Sequence, residues 1–152
     1  MKNVVLFFIL SLFFYKANSQ QITYSQPETD DVRYMDFNII GKINGNFLVY
    51  KHIRNNYGIG VYDNDMNLNK NVNLDFIPDR TINVDFIAYP DFAYIIYQYQ
   101  KRNILYCKAA AVDGTGKIIK QPFDLDTTDL RFLADNKIYS TIHSEDKSRI
   151  MI

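Results

Sequence analysis

The sequence predicts an all-β protein assembled from repeated units of four short antiparallel strands. Segments rich in Tyr, Phe, Ile and Val alternate with polar turns throughout, and helical periodicity is nearly absent. The pattern also recurs: Asn46-Phe47-Leu48-Val49-Tyr50, Ala93-Tyr94-Ile95-Ile96-Tyr97 and Ile138-Tyr139-Ser140-Thr141-Ile142 align so that Phe47, Tyr94 and Tyr139 are equivalent, 47 and 45 residues apart. The third observation is composition. A chain of 152 residues with 47% hydrophobic residues, 17 basic and 17 acidic side chains is globular, which excludes a disordered tail, a collagen-like rod and a disulfide-stapled miniprotein. Balanced charge argues against a nucleic-acid surface, because phosphate binding needs clustered Lys and Arg.

The chain opens with an address. Lys2, the apolar run Val4 to Phe14 and the small-residue stretch Ala17-Asn18-Ser19 have the three-part layout of a secretory signal peptide over residues 1–19, with cleavage expected after Ser19. The apolar run spans 11 residues, short of the roughly 20 that cross a bilayer. No Cys follows it, so a bacterial lipoprotein anchor is not expected. Loss of Lys2 and Lys16 leaves 15 basic against 17 acidic residues, a mature chain of net charge −2. The expected location is the periplasm, the cell surface or the extracellular space, with no stable membrane span after cleavage. Residues 20–33 form a lead-in segment.

The first unit, about 34–77, reads as strand Asp36 to Ile40, the hairpin dipeptide Asn44-Gly45, strand Asn46 to Tyr50, a polar turn at Arg54-Asn55-Asn56 and strand Tyr57 to Asp63. A turn at Asp63-Asn64-Asp65 then leads to a fourth strand, Leu68 to Phe76. The second unit, about 78–126, repeats this with Asp85 to Tyr89, the turn Pro90-Asp91, Ala93 to Tyr97 and the turn Gln100 to Asn103. Ile104 to Asp113, the turn Asp113-Gly114-Thr115-Gly116 and Lys117 to Leu125 complete it. A truncated third unit, 127–152, supplies Asp129 to Leu133, Ile138 to Ile142 and Arg149 to Ile152. Mixed alternating and continuous apolar runs point to strands covered on one face or on both.

Four-stranded units at a period of about 45 residues are the signature of a β-propeller, and residues 34–152 resemble secreted bacterial β-propeller repeat proteins. The Trp-Asp and Gly-His of WD40 blades and the Gly-Gly of kelch blades are missing, so no subfamily is indicated. The resemblance implies an array of about two and a half blades, and the sequence is read as the N-terminal fragment of a longer protein. The remaining blades would come from the same chain or from an oligomer partner.

Asp36, Asp85 and Asp129 recur at the start of the first strand of each unit and are the candidate binding residues. A ring of carboxylates could hold a cation or polarise a sugar, although recurrence in every repeat also suits a capping role. Asp63, Asp65 and Asn67 open like a calcium loop, but Leu68 and Leu74 stand where Gly and a bidentate Glu belong, so a solvated hairpin turn is expected. No catalytic residue, metal or cofactor is assigned. His52 and His143 occupy near-equivalent places without a third ligand, and Ser140 and Thr141 lack a nucleophile elbow. Cys107 is the single cysteine, and its apolar surroundings predict a buried, inert thiol. Tyr94, Tyr97, Tyr99 and Tyr106 could stack on sugars but suit strand packing better. Lys101-Arg102 reads as a solvated turn.

Two functions follow. One is an exported noncatalytic binding or scaffold protein that presents propeller loops to a protein, peptide or glycan. The alternative is a secreted glycosidase or peptidase whose catalytic residues lie mostly beyond residue 152. An outer-membrane barrel is a weaker third reading, opposed by the unbroken apolar runs and the repeat period.

Overall fold

The computed structural model describes residues 22–27 and 34–152. The expected signal peptide lies outside the described residues, and residues 22–27 of the lead-in are exposed and without regular structure. The first unit is a meander of β1 (Met35–Ile43), β2 (Asn46–Ile53), β3 (Asn56–Tyr62) and β4 (Leu68–Asn73). The second is a meander of β5 (Thr81–Ala88), β6 (Phe92–Lys101), β7 (Ile104–Asp113) and β8 (Ile118–Asp129). A two-stranded hairpin, β9 (Ile142–His143) with β10 (Ile150–Met151), follows. All these pairings are antiparallel. Among the described residues no helix is long and apolar enough to cross a membrane.

The turns form where the sequence places them. Asn44 (φ 48°) and Gly45 (φ 86°) take the left-handed conformations that a two-residue hairpin needs. Arg54 (φ 58°) and Arg102 (φ 57°) occupy matching left-handed positions in the β2–β3 and β6–β7 turns. Asp63 and Asp113 close the β3–β4 and β7–β8 turns by the same device. In the first, Oδ1 of Asp63 accepts from the backbone N–H of Asp65 and of Asn67 at 2.9 and 2.8 Å. In the second, Oδ1 of Asp113 accepts from the N–H of Thr115 and of Lys117 at 2.8 and 3.1 Å. Short polar side chains that bond their own backbone two and four residues on are what favours Asp here.

Strand register decides which residues are buried. Leu48 faces Val61 and Tyr50 faces Ile59, so one face of the first sheet presents Leu48, Tyr50, Ile59 and Val61 together. That face packs on Ala93, Ile95 and Val112 of the second sheet, with Val84, Phe86 and Ala88 around them. Loss of water from these apolar surfaces is the main force joining the sheets. Polar contacts pin one corner: the Asn44 N–H donates to Pro90 O at 3.0 Å, Asn44 Nδ2 to Asp91 O at 3.2 Å, and Asn46 Nδ2 to Gly114 O at 2.9 Å.

The third unit differs from its expectation. Asp129 is the last residue of β8 and pairs with Ile104, so it does not open a new strand. Residues 130–141 form no ladder. They cross the free face of the second sheet, where Tyr139 covers Ile87, Ile96, Cys107 and Ala109, while Leu130 and Ala134 cover Leu105. Two glutamine side chains on β6 replace the missing ladder. Gln98 Oε1 accepts from the N–H of Ile138 and of Tyr139, both at 3.0 Å, and its Nε2 donates to Tyr139 O at 2.7 Å. Gln100 Oε1 accepts from the Ala134 N–H at 2.7 Å and its Nε2 donates to Phe132 O at 2.9 Å. Only the tip of the expected hairpin pairs as strands, Ile142 with Met151 and His143 with Ile150. The architecture is thus all-β, with four-stranded antiparallel sheets stacked face to face, and the sheets do not close on themselves.

Candidate functional site

The three recurrent carboxylates lie in different settings. Asp36 on β1 is directly across from His52 on β2, so both project from the face turned toward the second sheet. Their closest approach, Oδ2 to Nδ1, is 3.8 Å, and the Asp36 side chain is 91% exposed. Asp85 on β5 is directly across from Ile96, one of the residues that Tyr139 covers. Its Oδ2 lies 2.6 Å from Lys137 Nζ and accepts from Thr141 Oγ1 at 3.4 Å. It therefore ties down the crossing segment. Asp129 is on β8, the edge of the sheet opposite β5. The fold does not gather the three at one place.

Asp63 is occupied by its own turn, because Asn67 Nδ2 also donates to its Oδ2 at 3.0 Å. Those hydrogen bonds hold its carboxyl below the usual range. Asp65 and Asn67 contribute backbone N–H groups to that turn. Among the described residues no group of three or more His, Cys, Asp or Glu could hold a metal ion.

The turn between β9 and β10 also engages a carboxylate: Ser144 Oγ donates to Asp146 Oδ1 at 2.6 Å and the Ser148 N–H donates to it at 3.1 Å. These bonds lower the Asp146 carboxyl to about 2 from its ordinary 3.8. At Asp113 burial works in the opposite direction, yet the bonds from Thr115 and Lys117 win and the carboxyl is again lowered. A depressed carboxyl stabilises the fold above its unfolded value, and that contribution fades as pH falls through the folded one. Acidification from pH 4 toward 2 is therefore expected to loosen these turns before the sheets. Side-chain carboxyl NMR titration checks this, and midpoints of Asp146 and Asp63 at the unperturbed value would refute it.

Cys107 is fully buried on β7 and unpaired, and burial, with the charges of Asp126 and Asp85 adding, pushes its thiol up to about 11. The expected result with a thiol reagent at pH 8 is no labelling of the native protein and stoichiometric labelling in denaturant. Rapid native labelling would contradict the buried setting.

The tyrosines divide between the two sides of the second sheet. Tyr97 is buried, and the rings of Tyr97, Tyr99 and Tyr106 stack in series with centroids 6.1 and 5.2 Å apart. Burial raises the Tyr97 phenol to about 12. Tyr94 meets Tyr89 and Phe92 edge-on from the other side. Each ring is engaged by another ring of the chain. His143 is exposed on β9, where its Nδ1 lies 2.9 Å from Ser144 O.

Two open concavities border the first sheet. The smaller, about 270 Å³, lies where β1 meets β5 and is lined by Asp36, Tyr50, His52, Thr81 and Val84 among others. The His52 ring stacks on Tyr57 with centroids 4.4 Å apart. Burial, reinforced by Tyr57 and Asp36, pushes the Tyr50 phenol well above its ordinary value.

The larger concavity, about 450 Å³, runs along β3 on the sheet's other side. Two cross-strand rows contribute its floor and walls: Lys51, Gly58 and Asn73, then Gly60 and Asn71. A Cβ at Gly60 would stand 2.8 Å from the Tyr62 ring and 3.2 Å from Lys51 Cε. The missing side chain is what lets Lys51 lie across the strand, its ammonium 5.2 Å from the centre of the Tyr62 ring. Sequence reasoning passed over this groove. The signal was the alternating Gly58-Ile59-Gly60, since glycine inside a strand marks a close approach. Compared with family models, curated proteins and solved structures, the chain matches none.

Proposed function

We propose that the chain is an exported noncatalytic binding or scaffold protein, its sheets being successive propeller-type blades that present loops and grooves to a protein, peptide or glycan. The observation that carries the binding reading is the glycine-floored groove along β3: a half-open concavity of about 450 Å³ on a sheet whose opposite face is locked into the core. That volume is within the usual range of small-molecule sites, about 300–1,000 Å³. Face-to-face stacking of consecutive meanders supports the propeller reading, because each blade buries its faces against neighbours. The layout of residues 1–19 supports export.

Two measurements test this. Expression of the whole chain in a bacterium should yield a periplasmic product beginning at Gln20, and a cytoplasmic product retaining Met1 would refute export. Purified mature protein screened against immobilised glycans and peptides should retain a ligand without turning it over. A second reading, a secreted hydrolase, is favoured by the Asp36–His52 pair bordering the smaller cleft. Hydrolysis of a glycan or peptide that is abolished in Asp36→Asn would establish it and displace the first.

A further inference from the structure

We infer that the cleft where β1 meets β5 receives the guanidinium group of an arginine in a peptide. The inference rests on the binding reading and adds to it a second site, apart from the groove along β3. Among the described residues lining this cleft, Asp36 carries the one formal charge when His52 is neutral, and there is no Lys or Arg. The Asp36 side chain is 91% exposed, and the 3.8 Å from its Oδ2 to His52 Nδ1 is longer than a hydrogen bond. Among the described residues no hydrogen bond or closer ion pair engages that carboxylate. Both oxygens are therefore open to a planar group that brings two parallel N–H donors.

Cross-strand register sets the recognition groups side by side. Asp36, His52 and Tyr57 form one row and Asn38 and Tyr50 the next, with Asn83 brought to the same cleft on β5. The rings of Tyr50, His52 and Tyr57 give the carboxylate an aromatic flank, His52 lying nearly parallel to Tyr57 at 7°. A guanidinium is flat and weakly hydrated and rests on such rings, whereas an ammonium holds its water more tightly. A second observation also points to a ligand: His52 Nε2 and Asn83 Nδ2 are buried without a hydrogen-bond partner, and both residues line the cleft. Buried polar groups are seldom left so. With the proton on Nδ1, the nitrogen toward Asp36, Nε2 is an acceptor for a guanidinium N–H, and Asn83 Nδ2 is a donor that matches a main-chain carbonyl of the peptide. The His52 side chain is 29% exposed, so a tilt of its ring meets a group entering from the cleft.

The mature chain, labelled with nitrogen-15, is titrated with acetyl-Gly-Arg-Gly-amide and, separately, with the same peptide carrying lysine, citrulline or glutamate in place of arginine. The amide signals of Asn38, His52 and Asn83 are followed, and each peptide is checked for cleavage. The expected result is saturable movement of these signals with the arginine peptide. Citrulline, which keeps the shape of arginine without its charge, and lysine should bind about tenfold or more weakly, and glutamate should leave the cleft unmoved. Asp36→Asn, at an exposed position, should weaken arginine binding about tenfold or more with the remaining spectrum unchanged. His52→Phe keeps a ring against Tyr57 but removes Nε2, and should weaken it about threefold or more. No movement at the cleft with the arginine peptide overturns the inference and leaves the binding reading to the groove along β3. Equal binding of the lysine or citrulline peptide, or undiminished binding in either variant, also overturns it. Cleavage of the arginine peptide would instead overturn the noncatalytic reading itself.

Discussion

Replacing Gln98 with Leu should release the segment 130–141 from the second sheet and lower stability by about 3 kcal/mol. Gln98 is 2% exposed, and its one amide satisfies two backbone N–H groups and one carbonyl of the crossing segment. Leu has similar bulk but no polar atom. Three backbone groups would then stay buried without partners or drag water into a closed space, and either outcome costs more than one ordinary hydrogen bond contributes. The check is urea denaturation combined with limited trypsin digestion. The variant should unfold at lower urea and be cut faster at Arg131 and Lys137, with the sheet interior protected. An unchanged midpoint together with unchanged cleavage would show that the segment does not depend on Gln98.

The second large effect is expected from Gly114→Ala in the β7–β8 turn. A Cβ there would lie 2.4 Å from Ile43 O and 2.9 Å from Asn44 Cβ, so the corner where the two sheets meet would have to open. The strain falls on backbone and cannot be relieved by turning a flexible side chain. The hydrogen bond from Asn46 Nδ2 to Gly114 O and those from Asn44 to Pro90 O and Asp91 O would be stretched with it. Overpacking of this kind costs about 2–3 kcal/mol, a fall in Tm of about 10 °C. Gly45→Ala is the comparison. Its Cβ would meet nothing within 4 Å, and only the left-handed φ of 86° opposes it, at about 1 kcal/mol. Equal melting temperatures for the two variants would refute the inter-sheet clash.

Both effects depend on tertiary contacts, whereas the strands and turns were legible residue by residue. Asn44-Gly45, Pro90-Asp91 and Asp113-Gly114-Thr115-Gly116 announce chain reversals, because each rests on the conformational freedom or side-chain bonding of the residues themselves. The buried setting of Cys107 was legible for a similar reason: apart from Lys108, β7 around it is largely apolar, and an apolar strand seeks cover. The third unit was misread because Leu130, Phe132 and Leu133 have the composition of a strand. Whether such residues form a ladder depends on which donors and acceptors stand opposite.

Local chemistry thus determined, from the sequence alone, an all-β chain, two four-stranded meanders and the places where they turn. Tertiary structure decided the rest. It sent Asp85 to Lys137 and Thr141, left Asp36 beside His52, and placed Asp129 on the far edge. It also assembled the groove from Lys51, Gly58, Gly60, Asn71 and Asn73, residues of three strands that come together only when the register is set. The physical reason is range: a turn is fixed by bonds spanning a few residues, while a site is fixed by which strand faces are driven together as water leaves them.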